Sequence, residues 1–150
     1  MALFDKINED IKLAMKAREK EKLEALRAVK AALLLAKTDG SYKEITGQDE
    51  VKLLQKLIKQ RKDSAAIYKE QGRTDLYEKE AAEATFIEEY LPAQLSHEEL
   101  TARVKAVIES IGAKGPQDMG KAMGAANKEL AGKAEGKAIA DVVKEILSLL

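Results

Sequence analysis

Hydrophobic residues recur every three or four positions along this chain, with charged and polar residues between them. That spacing is typical of amphipathic helices, and no stretch alternates with a period of two for long enough to form a strand. The pattern therefore predicts an all-α fold of seven helices. These cover, in order, about residues 3–18, 20–37, 47–71, 75–91, 97–111, 116–131 and 136–150.

Local signals mark the ends of the predicted helices. A capping box begins the third and fifth helices, because a Ser or Thr there can exchange hydrogen bonds with an acidic residue three positions later. Thr74 is expected to cap the fourth helix. The two capping boxes are Thr46-x-x-Asp49 and Ser96-x-x-Glu99, and the residues expected to end helices are Gly40, Gly72, Pro92 and Gly112.

The apolar stripes predict which helix faces are buried. The second helix carries the longest apolar run, so it should have the widest buried face and lie near the centre of its domain. The residues expected inside are Phe4, Ile7, Ile11 and Met15 on the first helix, and Leu23, Leu26, Val29, Leu33, Leu34 and Leu35 on the second.

The segment LPAQLS, residues 91–96, predicts a domain boundary. Long helices with dense charge precede it, and shorter helices rich in alanine and glycine follow it. The proline ends one helix and the capping box starts the next. We therefore predict an N-terminal helical bundle over residues 1–92 and a small C-terminal three-helix domain over residues 95–150.

Composition narrows the class of protein. The 150 residues include 26 basic and 26 acidic side chains, and this zero net charge argues against a general nucleic-acid coat protein. The lack of cysteine excludes disulfides and thiol catalysis and fits a reducing cytoplasm. The longest apolar run, Ala31–Ala36, is far shorter than the ~20 residues that span a membrane. We expect a cytoplasmic protein without a membrane partner.

The sequence contains no recognisable catalytic constellation. His97 is the only histidine, and no cysteine accompanies it to form a metal site or a proton relay. Glu80 and Glu83 lie on an alanine-rich helix, where a solvated acidic face is expected. No glycine-rich phosphate loop follows a strand. We therefore expect no metal, no cofactor and no catalysis by this chain alone.

The segment from Asp118 to Gly136 combines glycines with evenly spaced lysines. Glycine inside a helix costs about 1 kcal/mol relative to alanine, so two glycines on one helical face indicate that another backbone comes close. That backbone is either a neighbouring helix, which is the simpler interpretation, or a nucleic acid held by the lysines. The candidate RNA-contacting residues are Gly120, Lys121, Gly124, Lys128, Gly132, Lys133, Gly136 and Lys137.

A secondary basic face is predicted in the N-terminal half. Basic residues there follow helical spacing, which can align them on phosphates, although acidic neighbours also fit an ordinary solvated face. Few aromatic residues are available for base stacking, so we expect RNA to be recognised by shape and backbone. The residues of this secondary face are Arg27, Lys30, Lys52, Lys56 and Lys59.

Separated motifs run through the whole chain and carry a family resemblance. They are KQRKDS (Lys59–Ser64), GRTDL (Gly72–Leu76), the pair Glu80 and Glu83, YLPAQLS (Tyr90–Ser96), DMGKAMG (Asp118–Gly124) and GKAEGKAIADVVKEIL (Gly132–Leu147). In this order they resemble the YqeY family, bacterial cytosolic proteins related to the tail domain of the amidotransferase B subunit (GatB). The family tail usually reads alanine–aspartate–glycine where this chain has Ala134-Glu135-Gly136. Because aspartate is the better cap, we expect a weaker helix cap here.

The resemblance implies an all-helical, two-part fold with a GatB-tail-like C-terminal domain. In the amidotransferase that corrects glutamate or aspartate misacylated on tRNA, the tail helps to hold the tRNA, and the catalytic parts lie elsewhere. The family can therefore carry the label of a carbon–nitrogen ligase with glutamine as amido donor, although this chain lacks the residues for that reaction.

Two classes of function follow from these observations. The first is a non-catalytic module that binds tRNA or another structured RNA, assisting amidotransferase or aminoacyl-tRNA synthetase components. The second is a protein–protein adaptor that uses the same glycine- and alanine-rich surface on a partner helix.

Overall fold

The computed structural model describes residues 2–38 and 45–150. It divides into two compact units, Met1–Leu91 and Pro92–Leu150. The described residues contain seven α-helices, one short 3-10 helix and no strand, so the prediction of an all-α fold is confirmed. The helices are α1 (Ala2–Ala17), α2 (Lys20–Thr38), α3 (Gly47–Glu70), α4 (Thr74–Glu88), α5 (His97–Ser110), α6 (Met119–Leu130) and α7 (Gly136–Ser148), with the 3-10 helix at Pro116–Asp118.

The N-terminal unit has α2 at its centre, as its apolar content predicts. α1 packs against α2, α2 also contacts α3 and α4, and α3 runs along α4. Burial of the apolar stripes stabilises this arrangement, since each fully buried Leu or Ile side chain contributes roughly 1.5–3 kcal/mol. The core side chains with the lowest exposure are Ile7, Ala25, Leu26, Val29, Leu33, Leu54 and Ile87.

Three residues predicted to be buried in this unit are exposed. Met15 is 54% exposed, while the neighbouring Ala14 takes the buried position. Leu34 and Leu35 are 42% and 62% exposed, and Ala36 is buried instead. The buried face of α2 consists of Ala25, Leu26, Val29, Leu33 and Ala36. At 100° per residue, positions 34 and 35 lie on the opposite side of the helix. Hydrophobicity alone therefore overestimated the width of the buried stripe.

Both predicted capping boxes are present. The amide of Asp49 donates to Thr46 Oγ1 at 3.2 Å, and the Thr46 amide donates to the Asp49 carboxylate at 3.0 Å. The Ser96 and Glu99 pair makes the same two bonds at 3.2 Å each. These bonds hold the pKa of both carboxyl groups below the usual range. The predicted Thr74 cap is wrong, because Arg73 occupies the cap position without a side-chain bond and Thr74 is already helical.

Among the described residues, the helices α1, α3 and α5 end in the same reverse turn. In this turn, one residue just after the helix takes a left-handed conformation. Its amide and the next amide along the chain each donate a hydrogen bond to a carbonyl in the last turn of the helix. Gly72 after α3 and Gly112 after α5 have φ of +72° and +69°, as their predicted role as helix stops requires. After α1 the position belongs to Arg18, at φ +56°. The predicted stop at Gly40 lies outside the described residues.

The C-terminal unit has a separate core made by α5, α6 and α7. α6 and α7 pack together, and α5 contacts both. The interior side is formed by alanines on α6 and by β-branched residues on α7, which lets the helices fit closely. The fully enclosed residues include Val104, Ala122, Ala126, Leu130, Val143 and Leu147. None of the helices in residues 2–38 and 45–150 is both long and apolar enough to cross a bilayer.

Candidate nucleic-acid interface

The two glycines of α6 face open space. Gly120 and Gly124 are both exposed, and a Cβ built on either residue would meet no described atom within 4 Å apart from its chain neighbours and the backbone of its own helix. A tight crossing with another helix would place atoms within van der Waals distance of such a Cβ. Packing against another helix of the described residues therefore does not account for either glycine. No contact among the described residues explains them.

One exposed face of α6 carries residues with small side chains together with lysines. At 100° per residue, five exposed positions fall within about 120° of the helix circumference. The one acidic residue of α6, Glu129, lies on another side, where its carboxylate is 3.9 Å from the Arg103 guanidinium of α5. We call the exposed set the α6 face: Gly120, Lys121, Gly124, Asn127 and Lys128.

Lys121 on this face has an internal partner. Its amine donates to the carbonyl oxygen of Ile111 at 3.3 Å, just after the end of α5. A cation there is favourable, because the carbonyls at a helix C-terminus carry partial negative charge. Lys121 therefore stabilises the end of α5, and a phosphate would have to compete with this hydrogen bond for the Lys121 amine. Lys128, near the other end of α6, is exposed.

The turn between α6 and α7 carries two more candidate residues. Gly132 is buried at φ +79°, a conformation that favours glycine, so its role is in the turn rather than on a surface. The next residue, Lys133, is exposed. Its carbonyl accepts from the Leu95 amide at 2.9 Å, and the Gly132 carbonyl accepts from the Gln94 side-chain amide at 2.8 Å. The LPAQLS segment thus holds this turn.

The start of α7 carries the last two candidates. Gly136 and Lys137 are exposed, and a Cβ on Gly136 would meet no described atom within 4 Å beyond its chain neighbours and its own helix backbone. Glu135 occupies the cap position but makes no side-chain capping bond, as expected from its replacement of the family aspartate. Of the eight residues predicted to contact RNA, seven are exposed, and Gly132 is explained by the turn that it forms.

The secondary basic face is less open to a ligand. Lys52, Lys56 and Lys59 are exposed on the side of α3 opposite its buried residues, but Asp63 lies among them, 3.6 Å from the Lys59 amine. On α2, Arg27 is exposed, whereas the Lys30 amine lies 5.8 Å from the centre of the Phe4 ring. The acidic neighbour and the aromatic contact make this face a weaker candidate for phosphate binding.

One acidic residue that the sequence placed on a solvated face is buried. Glu83 is 9% exposed, and its carboxylate lies 3.6 Å from Arg61 Nε on the facing helix α3. Burial raises the pKa of Glu83 and outweighs the opposing effect of Arg61. The signal was available, because Glu83 stands beside buried Ala84 and four residues before buried Ile87. The pair is an internal ion pair between α3 and α4.

Other motif residues also have structural roles. The Tyr90 hydroxyl donates a hydrogen bond to the Asp10 carboxylate of α1, and burial together with this bond raises the Tyr90 pKa. Asp118 of the DMGKAMG motif accepts from the Lys114 amide at 2.8 Å before α6 begins. Within the described ranges, no three side chains of His, Asp or Glu are grouped so that they could hold a metal ion.

The described residues form an all-helical fold of two compact units, and α6 presents an exposed face of glycine, asparagine and lysine. The chain belongs to the YqeY family, since the family model described as "Yqey-like protein" matches residues 4–147. The family prediction made from the motifs is thereby confirmed.

Curated relatives place similar sequences in yeast mitochondria. The proteins named "Altered inheritance of mitochondria protein 41, mitochondrial" from Kluyveromyces lactis and Komagataella phaffii are each 34% identical, over 68% and 70% of this chain. The protein of the same name from Meyerozyma guilliermondii is 39% identical over 60% of the chain. The matched regions cover 56%, 59% and 47% of these relatives, so the chain spans about half of their length.

Proposed function

We propose that this chain is a non-catalytic RNA-binding module that contacts the backbone of tRNA or another structured RNA through the α6 face and the following turn. The observation that supports this proposal is the open position of Gly120 and Gly124. Gly124 weakens α6 because it lies in the helix interior, and neither glycine is needed for packing among the described residues. A phosphate backbone can approach such a surface closely. Lys128 lies on it, and Lys133 and Lys137 are exposed in the following turn and at the start of α7.

The composition of the C-terminal unit indicates how RNA would be recognised. Residues 92–150 contain no phenylalanine, tyrosine or tryptophan, so the imidazole of His97 is the one aromatic ring there on which a base could stack. Contacts to phosphates and 2′-hydroxyl groups remain. We infer that binding depends on RNA shape and salt, with little preference for base sequence.

The resemblance to the GatB tail supports tRNA as the first RNA to test. The proposed partners are amidotransferase or aminoacyl-tRNA synthetase components, and the chain would assist tRNA-dependent amidation without performing it. A cytoplasmic bacterial setting follows from the same resemblance, whereas the curated relatives are mitochondrial proteins of yeasts. Purified chain given glutamine, ATP and misacylated tRNA is expected to yield no amidated product. Product that follows the chain through repurification would refute the non-catalytic part of the proposal.

Salt dependence tests the RNA contact directly. Binding of unfractionated tRNA should weaken steeply with salt, so the slope of log affinity against log salt is negative. Each lost phosphate contact makes this slope less steep by about one. Lys128→Gln should therefore reduce the magnitude of the slope by about one, and Lys128→Gln with Lys133→Gln by about two. Lys105→Gln is the matched control, because Lys105 is an exposed lysine on α5 and is not part of the α6 face. Lys121 is a poorer test because its amine bonds to Ile111.

The alternative function is a protein–protein adaptor. Two exposed glycines four residues apart also allow a partner helix to pack closely on α6. A contact made by small apolar surfaces responds weakly to salt, in contrast to phosphate binding. Lack of tRNA affinity at low salt, or an unchanged slope in the lysine variants, would refute the RNA site and favour the adaptor.

A further inference from the structure

We propose that Gln94 is a positioning residue for the RNA-binding surface, because its side chain fixes the turn that presents Lys133 and leads to Lys137. This role rests on the RNA-binding function proposed above. Gln94 lies between the helices and on neither basic face, so charge patterns alone do not identify it.

The Gln94 carboxamide joins two parts of the C-terminal unit. Its nitrogen donates to the carbonyl oxygen of Gly132 and to that of Pro92, each at 2.8 Å. An amide nitrogen has two donors, and both are used here. One bond orders the segment that precedes α5, and the other reaches 38 residues further along the chain to the α6–α7 turn.

A second hydrogen bond also connects the segment before α5 with the α6–α7 turn. The Leu95 amide donates to the Lys133 carbonyl at 2.9 Å, so two successive peptide carbonyls of the turn are held by two successive residues. On the other side, the Lys133 amide donates to the Leu130 carbonyl at the end of α6 at 3.0 Å. The backbone of Lys133 is therefore fixed at both its carbonyl and its amide, while its side chain is exposed.

The fixed backbone of the α6–α7 turn should strengthen RNA binding by lowering the conformational entropy that Lys133 loses on binding. A lysine on a fixed backbone loses less conformational freedom on meeting a phosphate than a lysine on a mobile turn. The same turn sets the direction in which α7 begins, and therefore the position of Lys137. Removing the carboxamide should leave the charges unchanged and weaken only their placement.

The experiment uses the full chain with Gln94→Met, which removes both donors and keeps the length of the side chain and the net charge. Amide hydrogen exchange at Leu95 and Lys133 should become roughly fivefold faster, as expected for loss of a hydrogen bond of ordinary strength. Exchange at the buried Val143 should stay unchanged, because the core is intact. Gln117→Met, at an exposed glutamine of the same unit, should leave exchange at Leu95 and Lys133 unaltered.

The positioning role predicts a specific pattern of tRNA affinity. Gln94→Met should lower affinity about threefold to tenfold in the native chain and cause no further loss when Lys133 and Lys137 are already glutamine. An equal loss in both backgrounds would show that Gln94 acts elsewhere and would overturn the proposal. Unchanged exchange at Leu95 and Lys133 would also overturn it. If the native chain binds no tRNA, the RNA-binding function fails and the positioning role fails with it, whereas faster exchange alone would still show that Gln94 holds the turn.

Discussion

Replacing Gly124 with alanine should raise stability and lower RNA affinity at the same time. Gly124 lies in the interior of the 12-residue helix α6, and a Cβ added there would have no described atom within 4 Å beyond its chain neighbours and its own helix backbone. Alanine is favoured over glycine in a helix interior by about 0.8–1.0 kcal/mol. With no steric cost to subtract, Gly124→Ala should increase the free energy of unfolding of the C-terminal unit by about 1 kcal/mol.

The assay must report on the C-terminal unit alone, because the described residues form one hydrophobic core in each unit. Native-state amide exchange at buried residues such as Val104 and Val143 does so in the full chain. A gain of about 1 kcal/mol corresponds to about fivefold slower exchange for amides that open only on unfolding of the unit. Gly112→Ala is the matched control with the opposite sign, because φ at Gly112 is +69° and alanine is strained there.

RNA binding by the same variant tests why the glycine is present. If a phosphate backbone approaches Gly124, the added methyl group should lower tRNA affinity about tenfold, or about 1.4 kcal/mol. Loss of stability in Gly124→Ala would contradict the open position of this glycine. Higher stability with unchanged tRNA affinity would contradict the proposed close approach, and the α6 face would then need another explanation.

Three further predictions concern helix ends and the buried ion pair. Glu135→Asp should restore a side-chain cap and stabilise α7 by ~0.5–1 kcal/mol, seen as slower amide exchange in its first turns; no change would mean that Glu135 already serves this end equally well. Arg18→Gly should stabilise the N-terminal unit by about 0.5–1 kcal/mol in urea unfolding followed by tyrosine fluorescence, because φ is +56° there; destabilisation would show that the Arg18 side chain contributes more than its backbone costs. The pKa of Glu83 is raised in the folded chain, so its contribution to stability is present below the unfolded value and lost as pH rises through the folded value. Native chain should therefore gain stability relative to Glu83→Gln as pH falls from 7 to about 4.3, and the opposite trend would mean that attraction to Arg61 outweighs burial.

Local chemistry was the most predictable part of this fold. The capping boxes at Thr46 and Ser96 depend on residues three positions apart, so the sequence alone is enough to identify them. The glycine stops at Gly72 and Gly112 are local in the same way, because only their own backbone angles matter. Thr74 failed because a cap must precede the helix, and α4 begins one residue earlier than its apolar pattern indicated.

Properties that depend on packing between helices were less predictable. Leu34 and Leu35 are as hydrophobic as Leu33, and only the positions of the neighbouring helices decide which of them is covered. The ion pair of Arg61 and Glu83 joins residues 22 positions apart, on two helices whose relative register no local pattern reveals. Lys121 belonged to an evenly spaced lysine series, but its bond to Ile111 requires the turn between α5 and α6. The residues of the candidate surface could therefore be predicted from the sequence, whereas the hydrogen bonds that these residues make within the fold could not.

The separation into two cores has a consequence for spectroscopy. All four tyrosines and both phenylalanines precede residue 92, and the chain has no tryptophan. Intrinsic fluorescence and near-ultraviolet absorbance therefore follow the N-terminal unit only, and the C-terminal unit can unfold without an optical signal from its side chains. A melting curve recorded by tyrosine emission would look like a single transition even if the two units unfolded at different temperatures. One tryptophan placed after residue 92 would be the sole indole of the molecule, and its emission would report on that unit without interference.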